Sequence, residues 1–185
     1  MDNYLLDTNI LSYWYNDRCP QYANVVAHVN VVRRAGSQPN DVSRIFISPV
    51  TIGEIEHGLR TAPNRDSDAV KARQADFLKF VREQCPEVNE ITRHVGESYG
   101  TLKAWLFDHC SRRDLRTNEI RLSQLIDPVT TEELGADDND LWIAAQAMTE
   151  RLVYVTNDFR GSFGKMLEHF SKELDDLKVE NWAKP

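Results

Sequence analysis

The chain has 185 residues, 41% of them apolar and 28% charged, which is the composition of a globular protein and excludes a disordered or fibrous one. Twenty-two basic against 29 acidic residues give a net charge of −7, which excludes gripping nucleic acid by bulk positive charge. It does not exclude a nuclease whose own carboxylates bind cations, because those acids count against it in the sum.

Tyr4-Leu5-Leu6 predicts a buried strand that Asp7-Thr8-Asn9 stops. Helices are expected from Ile10 to Tyr15 and from about Tyr22 to Arg34, where Val25, Val26, Val29 and Val32 recur at three- and four-residue steps. Gly36 to Asn40 is a loop by its turn chemistry. Ile45-Phe46-Ile47 is a second strand closed by Ser48-Pro49, and a helix follows over Thr51 to Arg60, with Thr51 to Glu54 fitting a capping box. An amphipathic helix is expected from Asp66 to Gln84, a short strand at Val88 to Ile91, and a helix from Thr92 to His109. Ser111 to Asp138 reads as an elaborated loop with some helix around Glu119 to Leu125. Asp140 to Glu150 is a helix, Leu152 to Val155 a strand ending at Thr156-Asn157-Asp158, Phe163 to Leu174 a last helix and Leu177 to Val179 a final strand. Strands alternating with helices imply an α/β fold with a mainly parallel sheet.

Cys19, Cys85 and Cys110 are far apart and form no CxxC pair, which argues against a zinc ribbon or a disulfide framework. No basic n-region with a following apolar stretch opens the chain, and no apolar run approaches the ~20 residues of a membrane-spanning helix. A cytoplasmic protein without membrane contact is expected.

The informative pattern is where acids follow strands. Asp7 comes directly after Tyr4–Leu6, and Asp158 follows Thr156-Asn157 beyond Leu152–Val155. In an open parallel sheet the carboxyl ends of the strands share one edge, and that edge holds the ligand site. Glu54 in the first turn after Ile45–Ile47, and Asp140 at the start of a helix, can lean over the same edge. Each acid also has an ordinary structural use. Glu54 can return the Thr51 capping box, Asp137, Asp138 and Asp140 can answer a helix dipole, and Asp7 and Asp158 can be turn residues. Two carboxylates about 4 Å apart repel by roughly 4 kcal/mol at an effective dielectric near 20. A cluster of four therefore calls for a cation, and relieving one charge should leave the metal-free protein no less stable. Hard oxygen ligands suit magnesium or manganese, which activate water and clamp a phosphodiester.

Four segments together resemble the motifs of PIN-domain ribonucleases, most closely the VapC-type toxins of toxin–antitoxin pairs. They are Leu5-Leu6-Asp7-Thr8-Asn9-Ile10, Ser48-Pro49-Val50-Thr51-Ile52-Gly53-Glu54, Asn139-Asp140-Leu141-Trp142-Ile143-Ala144-Ala145 and Val155-Thr156-Asn157-Asp158-Phe159. The resemblance implies one PIN-like domain over residues 1–185, a three-layer α/β/α fold with a five-stranded, mainly parallel sheet in the order 3-2-1-4-5. It carries over Asp7, Glu54, Asp140 and Asp158 as a metal-binding acidic quartet, with Thr156 and Asn9 as polar members of the catalytic site. It implies a magnesium- or manganese-dependent endoribonuclease with an RNA substrate, a cognate antitoxin partner and a homodimer. Stretches near 18–44 and 108–137 are longer than in compact members of that family. The second is locally basic at Arg112, Arg113, Arg116 and Arg121, which suits either a solvated loop or a track for an RNA backbone.

Two rival readings stay open, an inactive PIN-like interaction module and an RNA-processing nuclease without an antitoxin. A haloacid-dehalogenase-like phosphatase would want an acid where Asn9 stands. No G-x-S-x-G elbow and no Gly-rich phosphate loop supports another enzyme class.

Overall fold

The computed structural model describes residues 2–36, 43–61, 67–110, 121–129, 131–135, 137–157 and 177–184, with 163, 164, 167, 170 and 172 in between. The elements are β1 (Tyr4–Leu6), α1 (Thr8–Tyr15), α2 (Tyr22–Ala35), β2 (Ile45–Ile47), α3 (Pro49–Thr61), α4 (Asp68–Gln84), α5 (Arg93–Cys110), a 3-10 turn at Leu122–Gln124, α6 (Asp138–Glu150), β3 (Val153–Val155) and β4 (Lys178–Glu180). The sheet order is β2-β1-β3-β4, and every pairing is parallel.

Among the described residues four strands stand where five were expected. At the outer edge of β2 a single parallel bridge joins Val88 to Ile47, with Ile47 N–H donating to Glu87 O (3.1 Å) and Asn89 N–H to Ile47 O (3.0 Å). The expected Val88–Ile91 strand thus occupies its place in the order but shrinks to one residue. Pro86 supplies no N–H, and Glu87, Asn89 and Glu90 have poor strand propensity, so nothing extends the ladder.

Alternation along the strands sends side chains to two faces. Leu5 and Tyr154 face a core built with Leu102, Leu106, Leu141 and Ala144 of α5 and α6. Leu6, Val153 and Val155 face the opposite core with Ile10, Leu11, Val25, Val29 and Val81 of α1, α2 and α4. Three layers follow, with the sheet buried on both sides as parallel sheets require. The long 18–44 stretch contains α2, whose Val25, Val29 and Val32 are buried in the second core. Phe163, Leu167 and Phe170, at near-helical spacing, are buried in the first. Arg112, Arg113 and Arg116 of the basic stretch lie outside the described residues, as does most of the expected last helix. Among the described residues no helix is long and apolar enough to cross a membrane.

Two helix starts differ from expectation. Ser48 caps α3, its Oγ accepting from Val50 N–H (3.1 Å), with Pro49 in the first helical position. Thr51 is therefore a buried residue inside the helix, and the capping box expected at Thr51–Glu54 does not form. α6 starts two residues earlier than expected, capped by Asp137.

The cores hold two of the three cysteines. Burial pushes the Cys85 thiol up to about 12 against a lowering by Arg33, and burial with help from Asp127 pushes Cys110 up to about 12. Only half-buried Cys19 retains access. At about pH 8 a maleimide should therefore label one thiol promptly in the native protein and all three after unfolding, counted by intact mass. Prompt labelling of three native thiols would contradict this packing.

Candidate active site

β1 and β3 are adjacent and in register, Leu6 opposite Val155, so the residues following each strand meet at the sheet's carboxyl edge. Asp7 follows β1 and caps α1, its Oδ1 accepting from Thr8 N–H at 2.6 Å. Asp7 as a whole is only 3% exposed. Oδ2 accepts from Thr156 Oγ1 at 2.7 Å and from Asn9 Nδ2 at 2.5 Å. The Thr156 hydroxyl in turn accepts from the same Asn9 amide at 3.2 Å. A second bond fixes which way Asn9 faces, because its Oδ1 accepts from Asn157 N–H at 3.0 Å.

Glu54 stands on the second turn of α3. Its Oε2 accepts from Thr8 Oγ1 at 2.5 Å and its Oε1 from Asn139 Nδ2 at 3.1 Å. Thr8 therefore holds two acids at once, Asp7 through its backbone and Glu54 through its hydroxyl. Asp140 belongs to a capping box at the start of α6: its Oδ2 accepts from Asp137 N–H (3.1 Å), while Asp137 Oδ1 accepts from Asn139 and Asp140 N–H (2.8 and 3.1 Å). Asp158 lies outside the described residues.

The structure thus brings Asp7, Asn9 and Thr156 into direct contact and links Glu54 to them through Thr8. Asp140 stands next to Asn139, whose amide reaches Glu54. Among the described residues no three His, Cys, Asp or Glu side chains stand close enough to share a metal ion. Hydroxyl, amide and backbone donors stand around Asp7 and Glu54. Removing the Asp7 charge should therefore cost stability rather than relieve strain, contrary to the expectation from repulsion alone. No motif singles out Thr8, Asn139 or Asn157. The one signal for Thr8 is a β-branched residue in the first turn of a helix, where its hydroxyl can reach out sideways.

A family model described as PIN domain matches residues 4–166. No curated protein matches the sequence. Among solved structures, the fold is similar to VapBC2 from Rickettsia felis bound to a DNA fragment from their promoter, at 21% identity and TM-score 0.57, covering 97% of this chain and 98% of that one. It is similar to DNA-bound VapBC from Salmonella typhimurium at 18% identity and TM-score 0.57, covering 98% and 99%. It is also similar to VapBC-5 from Mycobacterium tuberculosis, a member of the VapBC family of toxin–antitoxin systems, at 15% identity and TM-score 0.54, covering 98% and 99%.

Beside these acids, α5 clamps the start of α6. Lys103 Nζ donates to Asp138 Oδ1 (2.8 Å) and to the Tyr99 hydroxyl (2.7 Å), which donates to the same Oδ1 (2.6 Å). The Tyr99 ring stacks on Trp142 with centroids 4.1 Å apart. The Lys103 and Tyr99 bonds hold the Asp138 carboxyl below its usual range, and the Asp138 bond first of all raises Lys103. Burial, and then the bond to Asp138, raises Tyr99, which stays neutral. A lowered carboxyl stabilises above its unfolded value and loses that contribution as pH falls through the folded one. A raised ammonium stabilises below its unfolded value and loses that contribution as pH rises through the folded one. The clamp should thus be intact between about pH 4 and 10. Asp138 is 59% exposed, so solvent screening limits the ion pair to about 1 kcal/mol or less. Asp138→Asn should lower the melting temperature slightly at neutral pH and by less at about pH 3, where part of the contribution is gone. An equal deficit at both pH values would mean that the loss is not electrostatic.

Proposed function

The chain belongs to the PIN domain family, and on that footing we propose that it is a divalent-metal-dependent endoribonuclease, the toxin of a toxin–antitoxin pair. The observation that carries this reading is the buried Asp7 carboxylate at the carboxyl edge of a parallel sheet. Three donors hold it, and a second acid, Glu54, is tethered to the same Thr8. Carboxylates with this much fixed orientation are more than turn residues need.

The donor set is chemically suited to a hard cation, because Asp7, Glu54 and Asp140 offer carboxylate oxygen. Asp7 and Glu54, with Asp140 and Asp158 from the neighbouring helix start and strand end, would hold magnesium or manganese. That ion would activate a water and offset phosphodiester charge. The chain's own groups do the rest. Thr156 and Asn9 hold Oδ2 of the Asp7 carboxylate while Thr8 N–H holds Oδ1, which fixes it in one rotamer. Thr8 and Asn139 set Glu54 between α1 and α6. Water excluded around Asp7 strengthens these interactions.

RNA is the proposed substrate. A protein antitoxin is the proposed partner, on the strength of a fold shared with solved VapBC structures. A homodimer and a single domain across residues 1–185 belong to the same reading. The rival, an inactive interaction module, draws on the lack of a three-acid group among the described residues.

Incubating purified protein with single-stranded RNA decides between them. Cleavage should require magnesium or manganese and stop with EDTA. Asp7→Asn should lower kcat by more than the about 10- to 100-fold that losing an outer partner costs, and Asp137→Asn should change it little. Metal-independent cleavage, or full activity in Asp7→Asn, would contradict the mechanism, and no cleavage at all would favour the inactive module.

A further inference from the structure

The chain after β4 returns to the site. Asn181 Nδ2 donates to Asn157 Oδ1 at 2.9 Å. Asn157 spends its own side-chain amide on the Tyr13 hydroxyl (3.2 Å) and its backbone N–H on Asn9 Oδ1 (3.0 Å). Asn9 then reaches Asp7 and Thr156. A continuous line of hydrogen bonds thus runs from residue 181 to the buried Asp7 carboxylate, with each amide's direction set by the next.

The end of that line is anchored. Asn181 Oδ1 accepts from Ala183 N–H (3.0 Å), which leaves its NH2 group facing Asn157. Trp182 is buried between Tyr4 and His28, with ring centroids 5.0 and 5.3 Å away, and its Nε1 donates to Glu180 (2.7 Å). Asn24 of α2 donates to Ala183 O (3.2 Å), and Thr156 N–H donates to Glu180 O (3.0 Å). A strap this firmly held presents one donor in a fixed place. It lies beyond residue 166, where the family match ends.

We propose that Asn181 is a positioning residue that sets the Asp7 carboxylate through Asn157 and Asn9. Without its donor, Asn157 loses one of the two side-chain bonds that locate its backbone N–H. The partner of Asn9 Oδ1 is then held less firmly, and the Asn9 amide that shares Asp7 Oδ2 with Thr156 shifts. Packing alone does not explain the arrangement, because the aromatic anchor at Trp182 would hold the strap without it.

The proposal rests on the nuclease reading for its catalytic consequence but not for its structural one, so the test reads both. Side-chain amide signals of Asn9 and Asn157 are recorded by NMR on the full 15N-labelled chain, wild type and Asn181→Ala. Kinetics with single-stranded RNA and magnesium accompany them. Both amide signals should move in the variant, and kcat should fall about 10- to 100-fold, as for partners one layer out, with KM within about twofold. Asn181→Asp retains the acceptor for Ala183 and puts a charged oxygen that cannot donate where the NH2 group stood. It should shift the same signals, and it serves if the alanine variant does not fold. An unmoved Asn9 amide in either folded variant would overturn the inference, whatever the kinetics. Moved amides in a protein whose wild type cleaves no RNA would uphold the positioning role and remove the nuclease reading instead.

Discussion

A carboxylate taken out of water must be met by donors or it will not stay charged. At 3% exposure Asp7 is in that position, and the unpaired cost would be several kcal/mol. The backbone of Thr8, the amide of Asn9 and the hydroxyl of Thr156 meet it. This requirement reaches far into the fold. It needs β1 and β3 side by side and in register, so that Thr156 arrives opposite Asp7. It needs α1 to begin at once after β1, so that Thr8 and Asn9 curl back over the strand end.

The same geometry couples the layers. Thr8 is the second residue of a short chain of contacts, from Asp7 to Thr8 to Glu54 to Asn139, which ties the starts of α1 and α6 to the second turn of α3. The Lys103–Tyr99–Asp138 clamp then fixes the start of α6 to α5, whose other side packs into the first core. Among the described residues, the helix starts at the carboxyl edge are thus bonded to other elements.

Much of this was legible in the sequence. The order of strands, the buried helices and the placement of Asp7 at a strand end follow from periodicity and from where the apolar runs stop. The order that the family resemblance supplies puts Asp7 and Asp158 at the ends of adjacent strands, and the contact of Asp7 with Thr156 is what the structure adds. The capping box at Thr51 was misread because the Thr-x-x-Glu pattern recurs one turn inside a helix that Ser48-Pro49 had already started, and position N1 for proline is the stronger signal. Asp140 shows that two readings can hold together, since it closes a capping box while standing one residue from a contact to Glu54. The roles of Thr8, Asn139 and Asn181 were not legible. Their bonds span 46, 85 and 24 residues of sequence, and only the packed helices bring the partners within reach.

The central claim is that Asp7 is held as a buried carboxylate by the donors that meet it. A double-mutant cycle between Asp7→Asn and Thr156→Val, read by denaturant unfolding of the metal-free protein, tests it most directly. Each single change should destabilise, and the pair should couple by roughly 1–3 kcal/mol, the range for a buried hydrogen bond to a charged group. Additivity within about 0.5 kcal/mol, or a gain in stability from Asp7→Asn alone, would contradict it.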